Sequence, residues 1–102
     1  MSSMRQLMKQ AQEMQERLQR ELGETTVESS VGGGMVTLVM NGHKQLVSAK
    51  IDPEVLDPED PSVLEDLIVA AVHGAQSRAA EMMKAEMQKM TGDLGLPPGL
   101  LG

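Results

Sequence analysis

Few residues of this chain could do chemistry, and their spacing narrows what that chemistry is. His43 and His73 stand 30 positions apart, and the 102-residue sequence contains no cysteine. Thiolate zinc sites, iron–sulfur clusters and disulfides are thereby excluded, and two isolated histidines fit a structural role better than a metal site. No serine has an identifiable histidine partner, so nucleophile–base catalysis has no candidate. Gly32-Gly33-Gly34 is followed by Met35-Val36-Thr37, not by the Lys-Ser/Thr and helix of a phosphate-binding loop. Residues 52–66 hold seven carboxylates and no base, without the alternating acids and the glycine of a calcium loop. These features predict a protein that is not an enzyme and takes no metal, cofactor or small-molecule substrate.

What remains is electrostatic. Arg5, Lys9, Arg17 and Arg20 fall in residues 1–22 against three carboxylates, whereas residues 23–66 hold two lysines against nine acids. Arg78, Lys84 and Lys89 balance three acids in residues 67–102. The formal net charge of −6 therefore sits almost wholly in the middle of the chain. A domain this acidic is a poor nucleic-acid binder taken as a whole, yet the cations of its near-neutral terminal segments could neutralise phosphate. The same cations also fit a solvated helix face, because Arg17 follows Glu13 by four and Arg20 follows Glu16 by four. The ten methionines fall mostly on helical stripes and read as packing residues, though flexible Met faces also suit peptide binding. No aromatic residue is present to stack on single-stranded bases.

The elements that position these charges follow from periodicity. Met4, Leu7, Met8, Ala11, Met14, Leu18 and Leu22 recur at steps of three and four and predict a helix over Met4–Leu22, with Ser2 or Ser3 as N-cap and Gly23 as its stop. Glu24–Ser30 reads as an edge strand with Thr25, Val27, Ser29 and Val31 along one face. Met35–Met40 and Leu46–Ile51 flank Asn41-Gly42, which predicts a hairpin closed by a type I′ turn. After an acidic, proline-bearing loop, Ser62-Val63-Leu64-Glu65 reads as a capping box opening a second helix from Val63 to about Met90. Gly74 lies inside that helix and suits a close approach. Residues 91–102 hold four glycines and two prolines, which predicts a Leu-bearing tail and no helix. The domain expected is residues 1–90, with 91–102 as the tail.

A helix of about 28 residues is roughly 42 Å long, whereas a six-residue strand spans about 20 Å. The second helix must overhang the sheet, and the first helix can bury its stripe by pairing with the overhang. A core without Phe, Tyr or Trp is small for a chain of this length, which predicts an obligate homodimer. Joined through its sheets, such a dimer would project a helical arm from each protomer. No apolar run approaches the roughly 20 residues of a membrane span, and the N-terminus lacks the apolar stretch of a signal peptide, so a soluble cytoplasmic protein is expected.

The phrases LMKQAQEMQ (7–15), GGGMV (32–36), MNGH (40–43), VSAKIDP (47–53), LEDLIVAAV (64–72) and GLPPG (95–99) occur in order across the chain. In these it resembles the YbaB/EbfC family of bacterial nucleoid-associated proteins. The resemblance implies an α+β fold in the order α-β-β-β-α, a tweezer-like homodimer, and binding of double-stranded DNA with little sequence preference in the cytoplasmic nucleoid. It implies compaction or bridging of DNA, with influence on gene expression. It brings no catalytic motif. It places DNA contacts on the helical arms, where the available cations are Arg5, Lys9, Arg17, Arg20, Arg78, Lys84 and Lys89, of which Lys9 lies inside a matched phrase. The rival reading is a protein-interaction adaptor that grips a partner helix through Met/Ala-rich arms.

Overall fold

Alanines at 71, 75 and 79, each without accessible surface, bring the long second helix down onto the sheet. The computed structural model describes residues 2–93, with side chains over residues 3–92. Its order is α1 (Ser2–Glu24), β1 (Thr26–Val31), β2 (Val36–Asn41), β3 (Leu46–Ile51), a single 3-10 turn (Pro53–Val55) and α2 (Ser62–Asp93). The fold is thus the expected α-β-β-β-α. The strands form one antiparallel sheet in the order β1-β2-β3. The chain measures 69 × 22 × 15 Å along its principal axes.

Register decides which side chains meet α2. Val27, Ser29 and Val31 pair with Met40, Leu38 and Val36, and Ala49 and Ile51 pair with Leu38 and Val36. Cross-strand partners share a face, so these residues all stand on the α2 side. Val36, Leu38 and Ala71 form one buried cluster, edged by Val31, Ile51, Leu64, Leu67 and Val72. Met40, Ala75 and Ala79 form a second, edged by Val27. The opposite face is polar, with the Ser30 and Thr37 hydroxyls 3.1 Å apart. Gly74 lies so close to β1 that a Cβ there would fall 2.5 Å from Ser29 Oγ. Small residues on α2 thus set the helix–sheet spacing.

Several local expectations are corrected. The hairpin turn is not type I′: among the described residues positive φ is confined to Gly32, Gly33, Gly34 and Lys44. Asn41 N–H instead donates to Gln45 O at 3.0 Å and closes a loop of three residues, Gly42-His43-Lys44, with Lys44 N–H donating to Asn41 O at 3.0 Å and Lys44 itself left-handed at φ 63°. Asn41 Oδ1 holds it by accepting from His43 N–H at 2.9 Å and Gln45 N–H at 3.1 Å, an Asx arrangement that replaces the tight turn. The capping box does not form either. Ser62 Oγ donates to Asp60 Oδ1 at 2.6 Å, and Glu65 N–H takes Pro61 O as the first helical acceptor. Helix α1 runs through Gly23 to Glu24, and Thr25 N–H still reaches Glu21 O at 2.9 Å. Thr25 lies just outside β1. Helix α2 extends to Asp93, so the first three residues expected in the tail are helical. Leu94, Leu96, Leu100 and Leu101 lie outside the described residues.

The close approach at Gly74 is testable by urea unfolding. Gly74→Ala gains about 1 kcal/mol of helix propensity and meets an overpacking cost of about 1–3 kcal/mol against Ser29. Removing the hydroxyl relieves the clash, so Ser29→Ala/Gly74→Ala is expected to be more stable than Gly74→Ala alone. A double variant no more stable than the single would show that the Ser29 hydroxyl is not the obstacle.

Candidate nucleic-acid interface

The sequence-predicted cations are distributed along a helical arm and its root. Helix α1 is made of strong helix formers on its polar face, Gln, Glu, Lys and Arg. Its first three turns stand free: every described side chain from Ser3 to Glu13 is exposed. Burial begins at Met14 and Leu18 and is complete at Leu22. The apolar stripe therefore packs only at its C-terminal end, against the overhang of α2 and the end of β2.

The root is fixed by hydrogen bonds to carbonyls near the end of α1. Gly42 N–H donates to Leu22 O at 2.7 Å. A Cβ at residue 42 would lie 2.8 Å from that same oxygen and 2.8 Å from Leu22 Cδ2. Asn-Gly is thus required here for a close approach rather than for positive φ. His43 Nε2 lies 2.8 Å from Gln19 O, and because a carbonyl only accepts, Nε2 carries the proton. The ring also packs over Gly23, where a Cβ would fall 3.5 Å from His43 Cδ2. Reasoning from sequence treated His43 only as a weak metal candidate and missed this role. Its place in the phrase MNGH, directly after the turn, was the one signal available. His73 is exposed in mid-helix, and no group of three or more metal-ligating side chains occurs among the described residues.

The seven cations do not form one patch. Arg5 and Lys9 stand on the free part of α1, with no carboxylate among residues 2–12. Arg17 donates forward along the helix to Glu21 Oε1 at 3.0 Å. Arg20 is exposed near the root, and Lys84 and Lys89 are exposed on the overhang of α2. Arg78 is elsewhere: its guanidinium donates to Glu28 O and braces α2 against β1. The Arg17 hydrogen bond, helped by the charges of Arg17 and Lys89 and by contact with Glu86, holds the Glu21 carboxyl below the ordinary glutamate range. Gln12, Gln15, Glu16 and Gln19 line a shallow polar depression on the same helix.

A sequence model of the YbaB/EbfC DNA-binding family matches residues 1–94. The chain belongs to this family. Among YbaB/EbfC relatives, a nucleoid-associated protein of Pelotomaculum thermopropionicum is 50% identical over 98 residues, covering 93% of each chain. One from Acetivibrio thermocellus is 55% identical over 97 residues, covering 92% of this chain and 86% of its own. The crystal structure of an uncharacterized protein from Helicobacter pylori superposes with a TM-score of 0.76 at 26% identity, over 88% of this chain and 95% of that one. The YbaB/EbfC match takes in both helices and the sheet, so arm and root alike belong to the shared fold. None of the described helices is long and apolar enough to cross a membrane.

The Glu21 pair predicts a pH dependence. A carboxyl whose folded pKa is depressed contributes stability that is present above its unfolded pKa and lost as pH falls through the folded value. The urea midpoints of the protein and of Glu21→Gln are therefore expected to differ near neutrality and to converge as pH drops below the ordinary glutamate range. A gap that stays constant down to acid pH would remove the pair from the stability of the root.

Proposed function

We propose that the protein is a nucleoid-associated homodimer that binds double-stranded DNA with little sequence preference, through arms formed by α1 and the overhang of α2. The observation that carries the reading is the free end of α1, where Arg5 and Lys9 project with no carboxylate before Glu13. The seven acids of residues 52–66 lie at the other end of α2, since α1 meets α2 near Glu86 and Lys89. Ser62 to Glu86 is about 36 Å of helix, several times the roughly 8 Å Debye length at physiological salt. A phosphate approaching the tip is screened from the acids. Arg20, Lys84 and Lys89 extend the contact toward the root, while Arg17 and Arg78 contribute less because each already serves a protein acceptor. Phosphate contact of this kind positions without reading sequence. Two arms on one dimer could hold two duplexes, which bridges or compacts DNA and so influences gene expression.

The homodimer is supported by uncovered apolar surface. Helix α2 lies over β1 and β2, and β3 is an edge strand whose Leu46 and Val47 are more than half exposed. Gly74 and Arg78 mark the β1 side of α2. At 100° per residue Ile68 falls on the alanine stripe and Val69 well round on the side away from Gly74 and Arg78. Both are exposed. Exposed apolar side chains on both β3 and α2 mark an association surface. The adaptor reading is favoured by one feature, the exposed Met4, Leu7 and Met8. It predicts salt-tolerant capture of a partner protein, insensitive to loss of the arm cations.

A gel-shift titration on unrelated duplexes at two salt concentrations tests the proposal. Binding is expected to weaken steeply with salt. Arg5→Ala, Lys9→Ala and Arg20→Ala are each expected to lower affinity equally on all sequences, flattening the salt slope by about one unit for each phosphate no longer neutralised. Lys50→Ala, on β3 away from the arm, is expected to change little. Salt-independent binding, or indifference to the arm substitutions, would defeat it.

A further inference from the structure

Two surfaces of this chain complement each other and do not meet within one copy. The first is the free end of α1. Met4, Leu7 and Met8 lie on one stripe and are 68%, 66% and 64% exposed, and the only charges beside them before Glu13 are Arg5 and Lys9. The second lies at the start of α2. There Val55, Leu56, Asp57, Pro58, Pro61 and Leu64 line a shallow concavity of about 290 Å³. Leu56 is 54% exposed, and Val63 nearby is 47% exposed. Asp57 lines the concavity, and Glu54 and Asp60 line an adjoining hollow that shares Val55 and Asp57, in a segment with seven carboxylates and no base over residues 52–66.

This second surface is preformed. Asp52 Oδ1 accepts from Glu54 N–H at 2.9 Å, Asp57 Oδ1 from Glu59 N–H at 3.0 Å, and Asp60 Oδ1 from the Ser62 hydroxyl at 2.6 Å. Prolines at 53, 58 and 61 fix their own φ. A loop already ordered loses little freedom when something docks on it. An apolar concavity rimmed by acids fits a cationic amphipathic helix with a Leu or Met anchor, and the tip of α1 is such a helix.

We propose that the α1 tip of one copy docks in the acid-rimmed concavity of a second copy. Leu7 and Met8 are the apolar anchors, and Arg5 and Lys9 face Glu54 and Glu59. The contact is heterologous, one surface against a different one, so it repeats head to tail and does not close on itself. Assembly therefore grows with protein concentration. It occupies Arg5 and Lys9, so any anionic ligand of the tip competes with it. The inference concerns the protein without DNA and does not rest on the DNA reading.

Sedimentation velocity of the full-length protein, without DNA, tests it across a concentration series at roughly 50 mM and 500 mM salt, between which the Debye length changes about threefold. At low salt the average mass is expected to rise with concentration above the species seen at high salt. Arg5→Glu/Lys9→Glu and, separately, Glu54→Lys/Glu59→Lys are each expected to abolish the rise. An equimolar mixture of the two variants is expected to restore it, because each reversed tip then meets a reversed rim. Circular dichroism melts establish that both variants fold. A mass independent of concentration at low salt overturns the proposal, as does a rise that survives either charge reversal or a mixture that fails to restore it. Gel shifts keep the DNA reading separate, since Glu54→Lys/Glu59→Lys is expected to retain DNA binding whatever the assembly result.

Discussion

The direction of the arm depends on one hydrogen bond, from Gly42 N–H to Leu22 O at 2.7 Å. The last carbonyls of a helix have no partner within it and must find one elsewhere. Here the β2–β3 turn supplies the donor, and the backbones approach so closely that no side chain fits at position 42. Leu22, 2% exposed, fills the space beneath. His43 adds a second donor one turn earlier. Everything N-terminal to this latch is carried as a lever. An isolated helix of about 12 residues is marginal in water, but α1 is one continuous helix of 23 residues with its root packed, so its free turns inherit a nucleus already formed.

The same economy of size governs the core. Three alanines and a glycine on α2 bring the helix close to β1 and β2, and the large buried side chains opposite are few: Val36, Leu38 and Met40. No aromatic residue widens the layer. Close packing on two strands leaves the third uncovered except at Ile51, so the exposure of Leu46 and Val47 follows from the alanine stripe. Apolar surface stays open on β3, at the loop before α2 and at the arm tip. A chain with so little buried area is marginal alone, which is the physical reason to expect that copies of it associate.

Periodicity made the architecture legible from sequence. Steps of three and four gave both helices, alternation gave the strands, and comparison of their lengths gave the overhang and the arm. Local motifs were less reliable, because each has a competitor that pattern alone cannot weigh. Asn41 and Gly42 mark the turn correctly, yet the side chain of Asn41 holds a longer loop and Gly42 is small for the sake of a helix 20 positions away. Ser62 has Glu65 at capping-box spacing but finds Asp60 first. Arg17 has a glutamate four residues on either side, and its hydrogen bond to the later one ties it to the charged root, where Glu21 lies beside Lys89. By segment Arg78 groups with the arm, and only the fold reveals that it braces β1, 50 positions away. Contacts this distant in sequence leave no periodic trace.

The net charge of −6 says little about what the tip of α1 meets. Seven of the fifteen carboxylates sit at one end of a long body and the acid-free turns of α1 at the other, so screening separates these over several Debye lengths. The helix adds to the asymmetry. Its N-terminus carries the positive end of the macrodipole and the unpaired N–H groups of the first turn, and these lie in the same few turns as Arg5 and Lys9. Its negative end lies at the root, where the donors of Gly42 and His43 meet it. The direction of α1 along the chain thus places donors and positive potential outward and acceptors inward. A helix of the same composition running the opposite way would present carbonyls at the tip. Chain polarity, as much as the lysines and arginines, makes this end of the molecule suited to phosphate or to the acidic rim of another copy.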